Sequence, residues 1–309
     1  MSICHLLNLR HPIIQGGMAG ISDAGLAAAV SEAGGLGTIA AGNFTPDIVV
    51  AQVRKARKLT DKPFAVNIMM LSPYAEDVIS AVIDERVPVI ISGAGAPSGL
   101  ASRCKEKGIK YLAVVPSVAI ARRMEKSGAD AVIAEGMEAG GHIGKITTMC
   151  LVPQVADAVS VPVVAAGGIA DGRGMAAAFM LGAQGVQIGT RFLAAKECPI
   201  HQNYKDKVLK AKDIDTEVTG SITGHPVRAL RNKLTALFLA AEKEELGKDE
   251  PDVKRVEAVG AGALRKAVVD GDTEYGTLMA GQIAGLVRIE QTCEEIIKEI
   301  AGQYSELLK

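Results

Sequence analysis

Tryptophan is absent from this 309-residue chain, and five Tyr and five Phe bring the aromatic share to only 3%. A core built on stacked rings is therefore excluded. The 48% of hydrophobic residues must pack as Ala, Val, Ile, Leu and Met. Cysteine is scarce as well. Cys4, Cys104, Cys150, Cys198 and Cys293 are odd in number, scattered and without CxxC spacing, which argues against a disulfide frame or a zinc site and for reduced thiols. Net charge is close to zero, at −1, so nothing points to a nucleic-acid partner. The basic runs Arg54, Lys55, Arg57, Lys58 and Lys205, Lys207, Lys210, Lys212 read as solvated helix faces. No stretch approaches the roughly 18 apolar residues of a membrane span. The opening MSICHLLNLRHPI has no long apolar run and no cleavage signal, so the chain is expected to be soluble and cytoplasmic.

Glycine, by contrast, is abundant, with 34 residues. The glycines sit at the ends of short apolar runs: PIIQGG (12–17), GLGTIAAGN (35–43), PFAVNIM (63–69), PVIISGAG (88–95), KYLAVVPS (110–117), DAVIAEG (130–136), PVVAAGGI (162–169) and GVQIGTRF (185–192). Each run is continuously apolar, as expected of a parallel strand buried on both faces. Between them lie Ala-rich segments of helical length, such as 23–34, 46–59 and 117–128. Eight such units predict an α/β fold, a parallel (β/α)8 TIM barrel, in preference to a doubly wound open sheet. The rhythm stops after residue 192. The expected organisation is a barrel over 1–196, a small, mainly helical insertion over the barrel mouth at 197–279, and a C-terminal helix packing back on the barrel at 280–309.

Chemistry in such barrels sits at the C-terminal strand ends. The seventh and eighth runs end in AAGGIADGRG and QIGTRF. Glycine there lets backbone N–H groups approach an anion, and a helix opening at about Gly174 adds its dipole. This is the recurrent phosphate position of the fold. No P-loop and no G-x-G-x-x-G fingerprint is present, so a phosphate-bearing cofactor held inside the barrel fits better than a dinucleotide domain. Gln15, Gly16, Gly17 and Met18 end the first run and Asn67 closes the third, offering the donors and acceptors that a flavin ring needs. His142, in EGMEAGGHIG, follows paired glycines on the loop after strand six. It is the candidate for proton exchange or substrate orientation. His225, before Pro226, could face the same mouth. No second ligand group accompanies His142 at metal spacing, so no transition metal is expected.

The stretches IIQGGMA, PFAVNIMMLSP, VIAEGMEAGGHIGKITTM, PVVAAGGIADGRG, VQIGTRF, GAGALRKAVVDGD and MAGQIAG run over nearly the whole chain. Through them the sequence resembles the FMN-dependent enoyl-acyl-carrier-protein reductase II family, which is similar to the nitronate monooxygenases (2-nitropropane dioxygenases). EGMEAGGHIGKITTM and the DIDT…GHPVRALRNKL segment look like the reductase branch. The resemblance implies FMN at the barrel mouth, bound by Gly17, Met18, Asn67, Glu135 and Gly140. Its phosphate would lie on Gly167, Gly168, Gly189 and Thr190, with Gln187 alongside, and Gln282 would also face the flavin. His142 matches the family's histidine. Gly20 stands where many of these reductases carry Trp.

The implied reaction is reduction of a trans-2-enoyl thioester, on acyl carrier protein or CoA, by NADH or NADPH through FMN in bacterial fatty acid synthesis. The resemblance further implies a homodimer and sensitivity to a monovalent cation. Arg228, Arg231 and Lys233 are candidates for a basic rim that steers the acidic carrier protein. Three alternatives stand beside this reading. One is nitronate monooxygenase, with FMN, O2 and His142 as base. Another is a non-redox barrel that binds a phosphate ligand. The last is an IMP-dehydrogenase-like barrel using Cys150.

Overall fold

The computed structural model describes residues 2–95 and 97–309. All eight expected strands form: β1 (Ile13–Gln15), β2 (Gly37–Ala40), β3 (Phe64–Met69), β4 (Val89–Gly93), β5 (Lys110–Val115), β6 (Ala131–Glu135), then, after a two-residue strand β7 (Gly141–His142), β8 (Val163–Ala166) and β9 (Gly185–Ile188). They pair in parallel in the order β1-β9-β8-β6-β5-β4-β3-β2. A bridge between Ile14 and Leu36 closes the ring, with Gln15 N donating to Leu36 O and Leu36 N to Ile13 O, both at 2.9 Å. The fold is a (β/α)8 barrel.

Successive residues of each strand serve two different cores, which is why the runs are continuously apolar rather than alternating. Ile14, Ala65, Ile91, Leu112, Ile133 and Val164 fill the barrel interior. Their neighbours Ile13, Val66, Ile90, Ala113, Val132 and Ala165 face the surrounding helices. Branched aliphatic side chains suffice for such interior layers, so the barrel does without tryptophan. The N-terminal helix Ile3–Leu7 adds Ile3 and Leu7 to the interior core.

After β9 the barrel rhythm breaks, because the helix that follows, Thr190–Leu193, is a single turn. The chain then builds residues 197–279. These hold the helices Gln202–Leu209, Lys233–Leu246 and Val253–Val259. They also hold two strands that the helical expectation lacked, β10 (Thr216–Thr219) and β11 (Val227–Leu230). These strands and β7 form a separate three-stranded antiparallel sheet, with β11 in the middle.

The C-terminal helix is shorter than expected. It runs over Cys293–Leu307 and starts at a capping box between Thr292 and Glu295; Gln282–Leu286 is instead a 3-10 turn. It packs between the helices Ala24–Glu32 and Gly172–Met180. It thus occupies the ring position of the missing eighth barrel helix. Lys205, expected on a solvated face, is buried instead; its ammonium donates to Ala195 O (2.7 Å) and pairs with Glu290 (3.0 Å). That contact ties the start of the excursion to its return. Among the described residues no helix is long and apolar enough to cross a membrane.

Candidate active site

The C-terminal strand ends open into a cavity of about 540 Å³, within the roughly 300–1,000 Å³ of ligand sites. The structure brings Gly17, Met18, Asn67, Glu135, Gly140, His142, Gly167, Gly168, Gln187, Gly189 and Thr190 together on its wall. Gln282 does not join them. It is exposed, and the cavity is lined by its neighbours Gly281 and Ile283. The 3-10 turn that begins at Gln282 rotates its side chain outward, while its amide donates to Glu138 O at 2.9 Å. Gln15 is also placed differently from its expected role. Its side chain is spent inside the protein, donating to Ser22 Oγ and accepting from Thr38 N, each at 2.9 Å.

At the ends of β8 and β9 the backbone forms an anion cradle. Gly167 and Gly168 have φ of +88° and +73°, a left-handed conformation that L side chains rarely adopt. Beside Gly189 the space a side chain would fill is open up to Met18, 3.9 Å away. Among the described residues, the amides of Gly167, Gly168, Gly189 and Thr190 donate to no protein acceptor. Free backbone N–H groups beside a cavity can take an anion such as phosphate. The expected helix-dipole contribution after β8 is not available. That helix opens at Gly172, and Asp171 already caps it by accepting from the amides of Arg173 and Gly174 (3.0 and 3.3 Å).

Two polar groups at the floor of the cavity lack protein partners. Gln187 Oε1 is buried and accepts no hydrogen bond among the described residues. Burial alone pushes the Glu135 carboxyl up to about 7. The two residues flank Ala166 in register, one on β6 and the other on β9. An orphaned buried acceptor costs on the order of 1–3 kcal/mol, which a ligand carrying N–H or O–H groups would relieve. Among the described residues the Asn67 side chain likewise has no hydrogen-bond partner, and it lines the cavity. It lies so close to Gly17 that a Cβ there would fall 2.4 Å from its own Cβ.

His142 is held by strand pairing rather than by a free loop. It lies opposite Val227 of β11, and Ile143 N donates to Pro226 O at 3.1 Å. His142 is exposed on the cavity wall; partial desolvation by that wall first, and His225 second, hold its imidazole below the ordinary histidine range. It is therefore neutral at pH 7, able to donate from one nitrogen and accept at the other. His225 lines the same cavity.

Glu138 was not singled out from the sequence, although it lies within the same motif. Its carboxylate accepts from Thr148 N and Thr148 Oγ1 at about 3 Å, which holds the start of the helix Thr148–Ala156 against the cradle. Cys150 is exposed in that helix and is not among the cavity-lining residues. The expected basic rim is also corrected. Arg228 is buried and donates to Met137 O and Thr216 Oγ1, both at 3.1 Å. Arg231 pairs with Glu217 at 3.1 Å and Lys233 with Glu274 at 2.7 Å.

Comparison with known proteins agrees with this architecture. The family described as nitronate monooxygenase matches over residues 2–80 and 74–303. A protein from Staphylococcus saprophyticus named probable nitronate monooxygenase is 36% identical over 98% of this chain and 97% of its own length. FabK from Thermotoga maritima superposes with a TM-score of 0.95 at 48% identity, covering 100% of this chain and 97% of the other. A nitroalkane oxidase from Streptomyces ansochromogenes does so with a TM-score of 0.86 at 31% identity, covering 99% and 98%. Barrel, cradle and whole-chain likeness together place this chain in the nitronate monooxygenase family, and within it the chain is FabK-like in structure.

Proposed function

We propose that the protein is an FMN-dependent reductase. It would use NADH or NADPH to reduce the 2,3-double bond of an enoyl thioester, carried on acyl carrier protein or CoA, in fatty acid synthesis. The observation that carries this reading is the likeness to FabK over the entire chain at 48% identity, against 36% for the relative named for nitronates.

The residues present fit FMN. The free amides of Gly167, Gly168, Gly189 and Thr190 would take its phosphate. Gln187, Asn67 and Glu135 would meet the polar edge of its ring system. Bound there, the flavin supplies hydride transfer at N5. The chain's own part is orientation and proton handling. His142, neutral and fixed by its strand, donates a hydrogen bond to the thioester carbonyl or directs the proton that reaches the α-carbon. The apolar wall of Leu71, Ile120, Ile143 and Pro226 accommodates an acyl chain and excludes water.

A second reading rests on the names of the S. saprophyticus and S. ansochromogenes relatives. In it the same neutral imidazole removes the α-proton of a nitroalkane, and oxygen is the oxidant. Product analysis separates the two. With NADH and trans-2-butenoyl-CoA, the reductase reading requires stoichiometric butanoyl-CoA. Oxygen-dependent nitrite release from a nitronate, without any butanoyl-CoA, would overturn it.

A further inference from the structure

The helix Val118–Lys126 follows β5 directly, and Ser117 caps it by accepting from Ile120 N at 3.4 Å. Ile120 and Arg123, three residues apart, share one face of this helix, and Pro116 lies just before its cap. All three line the cavity. Among the described residues, Arg123 is the one permanently cationic residue on that wall; the other ionisable groups there are Glu135, Glu138, His142 and His225. Its guanidinium makes no ion pair and no hydrogen bond to protein among the described residues. Arg54, Arg57, Arg103 and Arg255, in contrast, each hold an acid at 2.5–2.8 Å. The nearby acid of its own helix, Glu125, is engaged elsewhere, accepting from the amides of Ser160 and Val161.

An unpaired guanidinium on an apolar lip is a ready fork for a phosphate ester. It is distinct from the cradle, because β5 lies two strands from β8 and three from β9 in the sheet order. The mouth therefore carries two anion-binding features, one at the cradle and one at the opposite end of the β6–β8 wall. We propose that Arg123 anchors the phosphate ester of the substrate that enters over the cofactor, which rests on the reductase reading given above. Two substrates of that reaction carry this chemistry, the pyridine nucleotide and the phosphopantetheine arm of CoA or carrier protein.

The test is equilibrium binding to the FMN-loaded wild type, Arg123→Gln and Arg123→Lys, titrated by calorimetry with coenzyme A and with ADP-ribose. The expected result is a rise in Kd of about tenfold in Arg123→Gln for one of the two ligands, partly restored in Arg123→Lys. Loss confined to coenzyme A assigns the pantetheine arm, and loss confined to ADP-ribose assigns the nucleotide. A change below threefold for both ligands overturns the proposal, as does a wild type that binds neither. KM values for trans-2-butenoyl-CoA and for the phosphate-free N-acetylcysteamine thioester serve as a control. An equal rise for both thioesters marks a structural defect and also counts against the anchor. Binding requires no turnover, so the role of Arg123 is decided even where enoyl thioesters are not reduced; that failure would fall on the reductase reading alone.

Discussion

His142 and Glu135 share the cavity, yet burial acts on them in opposite directions. The same desolvation lowers the imidazole and raises the carboxyl, because in each case it disfavours the charged form. Desolvation thus favours the neutral form of each, and Glu135, at about 7, is still about half protonated at neutral pH. For His142 the account predicts that His142→Ala keeps bound FMN, measured by its absorbance, but loses about 10²–10⁴-fold in enoyl reduction. Retention of full activity would remove the imidazole from the mechanism. For Glu135 the prediction concerns stability. Its folded value of about 7 lies above the ordinary 4.5. The protonated form is therefore favoured by folding, and the associated stability is fully present below pH 4.5 and lost as pH rises through 7. The displacement corresponds to an upper bound of about 3–4 kcal/mol. Urea unfolding of the flavin-free protein should show Glu135→Gln gaining on the wild type between pH 5 and 8. Parallel curves for the two proteins would contradict this.

At the scale of elements, His142 depends on the excursion that follows the barrel. β7 is only two residues long and is held by β11, which pairs in turn with β10. The turn joining β10 and β11 is fixed by Glu242 of the helix Lys233–Leu246. Its buried carboxylate accepts from the amides of Gly220 (3.0 Å) and Ile222 (3.2 Å). Glu242→Ala should leave those donors unpaired, at about 1–3 kcal/mol, and loosen the turn that carries His225. Faster hydrogen exchange at the amides of 220 and 222, with a several-fold higher KM for the enoyl thioester, is the expected result. Unchanged protection would show that the turn holds itself.

The eight barrel strands were legible because burial on both faces leaves an uninterrupted apolar run ending in glycine. The sheet of β7, β10 and β11 was not. Gly141 and His142 carry no strand propensity, and TEVT and VRAL are too short to stand apart from a polar, helix-rich stretch. The pairing of β7 with β11 is a tertiary event between segments 85 to 87 residues apart, Val227 opposite His142 and Arg228 opposite Gly141. The same limit explains the site residues. Gly167, Gly168, Gly189 and Thr190 announce themselves as turns after strands. The outward rotation of Gln282, the burial of Arg228 and the unpaired state of Arg123 depend on which neighbours the fold supplies.

At the scale of the whole molecule, the last helix closes the barrel only after the chain has built its mouth. Ile296, Ile297 and Ile300 are almost fully buried where an eighth barrel helix would lie, so the ring is completed by residues some hundred positions beyond β9. The excursion between them supplies one wall of the cavity through Gly224, His225, Pro226 and Met279. The glycine cradle is built by the barrel alone, whereas the opposite wall of the cavity combines barrel residues such as Leu71 and Ile120 with those of the excursion. On the proposed reading the barrel would hold the phosphate, and barrel and excursion together would shape the substrate side.

The reductase reading is tested most directly by the oxidative half-reaction. The FMN-loaded protein would be reduced anaerobically with one equivalent of NADH and mixed, still without oxygen, with trans-2-butenoyl-CoA. The account predicts bleaching by NADH, then rapid return of the oxidised flavin spectrum with one equivalent of butanoyl-CoA formed. Failure of NADH to bleach the flavin, or a reduced flavin that only oxygen reoxidises, would contradict it.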